Sequence, residues 1–409
     1  MNREAFDILI VGAGPAGSFA AERLARGGVR VALFDGRPEG EPKACGGGVT
    51  AKALKAWPHL LGAVGRSVDE LEMYSPSGKR LHLQLEEPFA IYSRVAFDSY
   101  LRDRARDAGA NLFYEKISAQ GIATTENNEG WFIRSASGGE WSGRMLLGAD
   151  GANSVVAKKL AGSLPPAEME VAFGYRAPLP EKGDAPAVIA FLPGWDGYAW
   201  AFPRLDHISF GIATAQLTFN HEWLDSQLWK FMIGYYLMRI GNLTCIWPDK
   251  NMNRLGATYE QVATELQKTV EPYASRIPKL TAETWAKRQT QGKGWALLGD
   301  AAGFADPITG EGIYYALRSS ELFTACFLEG RIDSYEQLWR QDFGNDLKRA
   351  SEMRARFYGN FLSGRFTERM IQFAGIHPNI RRKMGELVVG DQGYVGLKGK
   401  LILSLIRPF

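Results

Sequence analysis

Residues 7–35 restrict the fold more than any other stretch of the chain. The apolar run at 7–11 (Asp-Ile-Leu-Ile-Val) suits a buried parallel strand and leads straight into Gly12, Ala13, Gly14, Pro15, Ala16 and Gly17, a GxGxxG spacing. Residues 16–26 read as a helix with Phe19, Ala20 and Leu24 on one side, and residues 29–35 as a second strand closing on Asp35. In such a βαβ unit Gly12 permits the tight turn, Gly14 lets backbone approach a pyrophosphate, and Gly17 allows close packing of helix on strand. Asp35, eighteen residues after Gly17, is placed to accept hydrogen bonds from ribose hydroxyls, with Gly36 and Arg37 following it. A dinucleotide is expected here, but the motif alone does not separate FAD from NAD(P).

The rest of the composition narrows the class by exclusion. With 409 residues, 45% hydrophobic and 23% charged, the chain is long and apolar enough for two or three packed layers or domains. A net charge of +3 without a concentrated basic stripe argues against a nucleic-acid partner. Cys45, Cys245 and Cys326 show no CxxC or paired spacing, and the five histidines show no metal-ligand spacing, so a reducing compartment and no metal site are expected. Residues 1–6 lack the features of a signal peptide, and no run reaches the ~18 apolar residues of a membrane span, which together suggest a cytoplasmic protein. Two segments are unusually apolar, 228–240 and 401–409.

Two further strands end in Asp/Gly pairs. Residues 144–154 run into Asp150-Gly151, and residues 295–303 run into Gly299-Asp300, followed by Gly310, Glu311, Gly312 and Ile313 opening a helix. The three strands are expected to converge on one ligand, with Asp150 and Gly151 among the cofactor contacts; Asp300 can bind a ribityl hydroxyl, while backbone N–H groups around 310–313 can sit against the pyrimidine edge of a flavin. In order and spacing these three signatures resemble FAD-dependent enzymes with the p-hydroxybenzoate hydroxylase type of fold. That resemblance implies FAD as cofactor and assigns Arg94, in the segment 93–98, to the family's helix start, whose arginine approaches FAD. No second strand-GxGxxG-helix unit is present, so NAD(P)H or another reductant is expected to visit transiently.

Residues 42–49 contain Lys43, Ala44, Cys45, Gly46, Gly47 and Gly48, a glycine triplet that allows backbone to lie flat against a planar ring, with Cys45 facing the flavin. Residues 197–203 alternate aromatic with small residues, so Tyr198, Trp200 and Phe202 project from one face of a strand that ends at Pro203. Core packing and substrate contact are both readings of such a row; Cys245 and Cys326 are read as core. The two segments resemble the geranylgeranyl reductase family, whose hallmarks match Lys-Ala-Cys-Gly-Gly-Gly and Tyr-x-Trp-x-Phe-Pro here. Flavin-dependent halogenases carry a related Trp-x-Trp-x-Ile-Pro motif, from which this chain departs at Tyr198 and Phe202.

An isolated isoprenoid double bond has no carbonyl to polarise it, so its reduction would couple protonation at one carbon to hydride delivery at the other. Aromatic faces stabilise the developing cation by up to about 2 kcal/mol when desolvated. Cys45, Tyr198 and Trp200 are therefore the candidate catalytic residues, and Cys45, Tyr198, Trp200, Phe202 and Pro203 the candidate substrate contacts. A thiol is a weak acid for an alkene, so a water relayed through Cys45 stays open as proton source.

The expected fold is a mixed α/β architecture. An FAD-binding domain (1–74, 94–162 and 286–327) is interleaved with an antiparallel-sheet substrate domain (75–93 and 163–285) and followed by a helical region (328–409); residues 71–91, with a turn at Pro76, Ser77 and Gly78, suit a hairpin, and 335–361 a long helix. The expected function is FAD-dependent saturation of C=C bonds in a long isoprenoid chain on a lipid, quinone or diphosphate. A flavin monooxygenase or halogenase acting on an apolar aromatic substrate is the alternative, and a non-catalytic lipid-binding flavoprotein a third class. A lipid substrate suggests a peripheral membrane contact, for which the segment 228–240 and the basic-flanked 401–409 are candidates; core packing is the other reading of both. Oligomeric state is not legible.

Overall fold

The strand Glu4–Val11 takes the centre of the first sheet, as its unbroken apolar run requires: Ile8, Leu9 and Ile10 are fully buried. It pairs in parallel with Val31–Phe34 on one side and Glu140–Gly148 on the other. The sheet order is Gln291–Gly292, Trp295–Leu297, Glu140–Gly148, Glu4–Val11, Val31–Phe34 and Asn111–Phe113, with parallel pairing from Trp295–Leu297 onward. A hairpin of Ile117–Thr124 and Trp131–Ser135 continues antiparallel from Glu140–Gly148, and Gly138 takes φ +95° in the turn before that strand. The computed structural model describes residues 4–40, 43–126, 128–181, 185–214, 220–241, 243, 245–248, 252–361, 364–397 and 399.

The second sheet runs Glu271–Pro278, Met169–Pro178, His207–Thr214, Gly197–Pro203, Ala187–Phe191, Gly65–Tyr74, Arg80–Tyr92 and Gly48–Val49. It is antiparallel around Gly197–Pro203, while Ala187–Phe191 runs parallel to Gly65–Tyr74. Pro76, Ser77 and Gly78 form the turn of the expected hairpin, with Gly78 at φ +84°.

The chain divides into two compact units, Met1–Lys43 with Arg94–Met169 and Arg276–Glu352, and Ala44–Ser93 with Glu170–Ser275 and Met353–Phe409. Residues 44–74, expected in the first domain, fall in the second because Gly48–Val49 and Gly65–Tyr74 both pair with Arg80–Tyr92. Nor do residues 328–409 make a third unit. Tyr335 donates to the Leu297 carbonyl at 3.0 Å and Trp339 to the Thr290 hydroxyl at 2.9 Å, tying 328–352 to the first sheet. Beyond them Arg354 binds the buried Glu170 at 2.8 Å in the second unit. Residues 335–361, read as helical, are so only to Phe357, as Tyr335–Trp339, a π-helical turn Arg340–Gly344, and Asn345–Phe357; Asn360–Phe361 is instead a short strand paired with Gly364–Arg365.

The apolar segment 228–240 lies in the helix His221–Arg239, which starts at an Asn220 cap donated to by the Trp223 N–H. Leu228, Phe231, Met232 and Tyr235 are buried in one cluster with Val188, Ala199, Ala201, Ile208 and Phe210 of the sheet. Arg239 reaches the buried Glu72 at 3.4 Å. The apolar face of this helix is therefore packed as core. Residues 401–409 lie outside the described residues, among which no helix is long and apolar enough to cross a membrane.

Phe231→Ala should therefore lower the unfolding free energy by about 3–5 kcal/mol, the cost of emptying a core aromatic site, in urea denaturation. A change below about 0.5 kcal/mol, typical of surface positions, would return the helix to an exposed role.

Candidate functional site

In the first unit, the glycines of the 12–17 turn differ in what surrounds them. Gly12 has φ +103°, and a Cβ there would stand 2.3 Å from the Ala149 oxygen; a Cβ at Gly17 would stand 1.8 Å from the Gly12 oxygen. A Cβ at Gly14 would meet nothing within 4 Å. Packing thus closes positions 12 and 17, and position 14 opens onto the space that a pyrophosphate would need.

The helix Pro15–Arg26 begins at Gly14 without a side-chain cap, and Ile313–Leu328 begins at Gly312 in the same way. The two run side by side in one direction: Ser320 Oγ donates to the Ala16 carbonyl at 2.8 Å and Arg23 Nε to Thr324 Oγ1 at 3.1 Å. Gly299 lies at their starts, where a Cβ would be 3.3 Å from Ala16 Cβ and 3.2 Å from Ala316 Cβ. Two positive helix ends therefore meet at one place, which favours an anion. The loop before the second helix is folded about the buried Asp306, which accepts from the Ile308 N–H at 2.7 Å and the Thr309 N–H at 3.0 Å. This loop sets Gly310 at φ +72° and brings Gly312 beside Asp300, whose Oδ1 lies 3.0 Å from where a Gly312 Cβ would sit.

Charge gathers in the same unit. Arg94 and Asp98, both buried, join through Nε–Oδ1 at 2.9 Å and Nη2–Oδ2 at 3.0 Å. Arg102 Nη1 reaches Asp35 Oδ2 at 3.2 Å, and Arg37 links the two acids, its N–H to Asp35 Oδ1 at 3.1 Å and its Nη2 to Asp98 Oδ2 at 3.5 Å. Burial, then the neighbouring Arg94, push the Lys43 ammonium below the usual lysine range, against the pull of Asp300 and Asp98. Burial likewise raises the Asp300 carboxyl, opposed by Lys43 and Arg94. Four cations surround three carboxylates, a surplus suited to a pyrophosphate.

Asp150 behaves differently from expectation. Its carboxylate accepts from Ser154 Oγ at 2.5 Å and the Val155 N–H at 2.6 Å, so it anchors the start of Val155–Leu160. Its backbone, not its carboxylate, adjoins the Gly12 turn, and Gly151 follows at φ +80°.

In the second unit, Tyr198, Trp200 and Phe202 alternate with the fully buried Ala199 and Ala201 along Gly197–Pro203. Tyr198 and Phe202 are half-buried against a cluster that includes Leu71, Phe89 and Phe191, so they also serve as core. Trp200 stands opposite Gly211, which stands opposite Gly174 on the next strand. A Cβ at Gly211 would lie 2.0 Å from the Trp200 ring, and one at Gly174 2.8 Å from the Tyr273 ring. Two facing glycines thus make the room that the Trp200 and Tyr273 rings occupy. Tyr273 donates to the Phe210 carbonyl at 2.6 Å, its hydroxyl lies 2.8 Å from Ser209 Oγ, and burial pushes its phenol far above the usual range, keeping it neutral.

The glycine loop lies against this wall. A Cβ at Gly46 would be 3.1 Å from the Phe202 ring and 3.3 Å from Trp200 Nε1. Gly47, at φ +83°, is pinned by the Tyr92 N–H donating to its carbonyl at 2.9 Å, and its own N–H donates to Cys45 Sγ at 3.3 Å. Arg204 Nη2 donates to the Cys45 carbonyl at 2.8 Å and to the Gly46 carbonyl at 3.3 Å, and Ser209 Oγ to the Cys45 carbonyl at 3.4 Å. Cys45, Trp200 and Phe202 are thereby brought together, with the Tyr198 ring 5.9 Å from Trp200 and Pro203 paired to Ile208 at the strand end. Ala44, Gly46 and Gly47, expected at the cofactor, belong to this second unit.

Sequence reasoning missed Lys43, Asp98, Arg102 and Asp306 in the first unit and Gly174, Arg204, Ser209, Gly211 and Tyr273 in the second. Arg204 was the most visible of them, a cation directly after an apolar strand.

Comparison with known proteins agrees with this geometry. Residues 5–175 match the FAD binding domain family. The chain is 28% identical over 350 residues to the chloroplastic geranylgeranyl diphosphate reductase of Nicotiana tabacum, covering 81% of this chain and 68% of that protein. It is 27% identical over 373 residues to digeranylgeranylglycerophospholipid reductase 1 of Methanothermobacter thermautotrophicus, covering 84% of each. Its fold matches a geranylgeranyl bacteriochlorophyll reductase-like protein of Thermoplasma acidophilum with a TM-score of 0.69 at 23% identity, over 92% of each chain. Fold and site define an FAD-dependent oxidoreductase. Within that class, the chain is similar to geranylgeranyl and digeranylgeranyl reductases.

The glycine geometry separates binding from folding. Gly14→Val should weaken FAD retention by at least about tenfold, or about 1.4 kcal/mol, with the melting temperature of the FAD-free protein unchanged. Gly17→Ala should instead cost about 1–3 kcal/mol of unfolding free energy through overpacking. FAD-to-protein ratios and thermal melts of both variants check this.

Proposed function

We propose that this chain reduces isolated C=C bonds of a long isoprenoid chain carried on a lipid, quinone or diphosphate. The observation that carries the reading is the Cys45 loop held against Trp200 and Phe202, a thiol beside an aromatic wall. The names of the relatives support it. The residues that would hold FAD are Gly12, Ala13, Gly14, Pro15, Ala16 and Gly17 at the pyrophosphate, Asp35, Gly36 and Arg37 at the ribose, and Arg94, Asp300, Gly310, Gly312 and Ile313 toward the flavin. When bound, FAD supplies the hydride equivalent; NAD(P)H or another reductant replenishes it as a transient visitor.

The chain's own residues supply the rest. Trp200, Tyr198 and Phe202 exclude water and present π faces to the tertiary carbon as positive charge develops there. Tyr273, neutral at working pH, adds a further ring beside Trp200 without a competing anion. At Cys45 the sulfur accepts the Gly47 N–H, which leaves the thiol hydrogen as the proton to be moved, directly or through a water. Delivery of the lipid at a membrane surface, from the cytoplasmic side, belongs to the same reading; the basic-flanked apolar sequence at 401–409 is its candidate contact.

Trp200→Ala should lower prenyl turnover about 30-fold, the equivalent of about 2 kcal/mol of lost cation stabilisation, with FAD stoichiometry unchanged. Product mass decides the chemistry: a gain of two hydrogens per double bond supports the reductase, whereas incorporated oxygen or halogen overturns it. Loss of FAD from Trp200→Ala would mean that its role lies elsewhere.

A further inference from the structure

We infer that Arg204 is the positioning residue for Cys45: its guanidinium latches the glycine loop so that the thiol is presented in a single orientation. The purpose of the latch rests on the reductase reading; its existence does not. A Cys-Gly-Gly-Gly segment has little order of its own, because each glycine loses more conformational freedom on folding than any other residue. Such a loop holds one shape only when external groups fix its backbone.

Three groups of the second unit do so, and they act at different points. Tyr92 holds Gly47 through its N–H, while its carbonyl oxygen lies 2.2 Å from where a Gly47 Cβ would sit, so this position stays glycine. Ser209 Oγ approaches the Cys45 carbonyl at 3.4 Å, a weak bond. Arg204, 5% exposed, is the strong tether, with one nitrogen donating to two consecutive carbonyls at 2.8 and 3.3 Å.

The carbonyl positions matter for the sulfur. With the Cys45 and Gly46 carbonyls fixed, the Gly47 N–H is aimed back at Cys45 Sγ, 3.3 Å away. That bond fixes the side-chain orientation and leaves the face of the loop toward Trp200 and Phe202 undisturbed. Without the guanidinium, the two carbonyls lose their charged donor, the turn at Gly46 and Gly47 relaxes, and the thiol samples several directions. Lysine at 204 would restore the charge and N–H donors, but on a flexible stem without the rigid plane that aims the Arg204 nitrogen at both carbonyls.

The test reads the thiol directly in FAD-loaded protein. Iodoacetamide alkylation is followed by peptide mass at Cys45, with Cys245 of the same molecule as internal reference. Arg204→Met should raise the Cys45 rate about tenfold, the equivalent of about 1.4 kcal/mol, and leave the Cys245 rate unchanged. Arg204→Lys should return the rate at least halfway, and kcat for prenyl reduction should fall in parallel with little change in KM. An unchanged Cys45 rate, or an equal rise at Cys45 and Cys245, overturns the latch; so does a lysine variant no better than methionine. Alkylation needs no substrate, so wild-type protein without prenyl turnover would defeat the reductase reading while the latch stood on its own result.

Discussion

The cofactor half of the first unit depends on two helix starts packed side by side about Gly299. Ala16, Gly299 and Ala316 let the first turns of Pro15–Arg26 and Ile313–Leu328 approach closely. Each helix end carries about half a positive charge and several unsatisfied N–H groups, so this juxtaposition is unfavourable without an anion between or before them. No side chain caps either end. Thr50, Ser154, Asn220 and Thr281 cap helices elsewhere, while Phe366–Ile376 and Pro378–Val388 also start without a side-chain cap, so it is the pairing of the two starts about Gly299 that sets them apart. The absence of a cap at these two ends is what a bound pyrophosphate and flavin edge would complete, and the Arg37, Lys43, Arg94 and Arg102 cluster adds charge of the same sign.

The second unit solves a different problem, that of keeping large aromatic rings in defined positions on a sheet. Alternation puts Ala199 and Ala201 into the core and the three aromatic residues on the other face. Tyr198 and Phe202 are steadied by the cluster around Leu71, Phe89 and Phe191. Trp200 is steadied by the gap at Gly211 and by the Cys45 loop beyond it. Tyr198 and Phe202 thus contribute to the core, and on the proposed reading the same row would also face the substrate.

Legibility in the sequence followed the range of the interaction. The 7–35 unit was readable because strand, turn, helix and terminal acid are all local, and the aromatic alternation because period two needs only one strand. Arg204, Ser209 and Tyr273 were not readable, because their value comes from register across three strands and a loop about 160 residues away. The boundary at Lys43 was missed for a related reason: nothing in composition marks the point where the chain leaves one sheet for the other, and the pairing of Gly48–Val49 with Arg80–Tyr92 decides it. Asp150 looked like a ligand because acids after strands often are; whether a carboxylate turns outward or caps its own helix depends on the Ser154 beside it. The segment 228–240 was apolar enough for either a core or an interface, and only the sheet beneath it settles the matter.

The most direct measurement is anaerobic. FAD-loaded protein is reduced with dithionite, a geranylgeranyl lipid is added in the absence of oxygen, and flavin absorbance is followed together with product mass. The account predicts reoxidation of the flavin on substrate addition, with two hydrogens gained per flavin oxidised. A flavin that stays reduced with a panel of prenyl substrates until oxygen enters would contradict it.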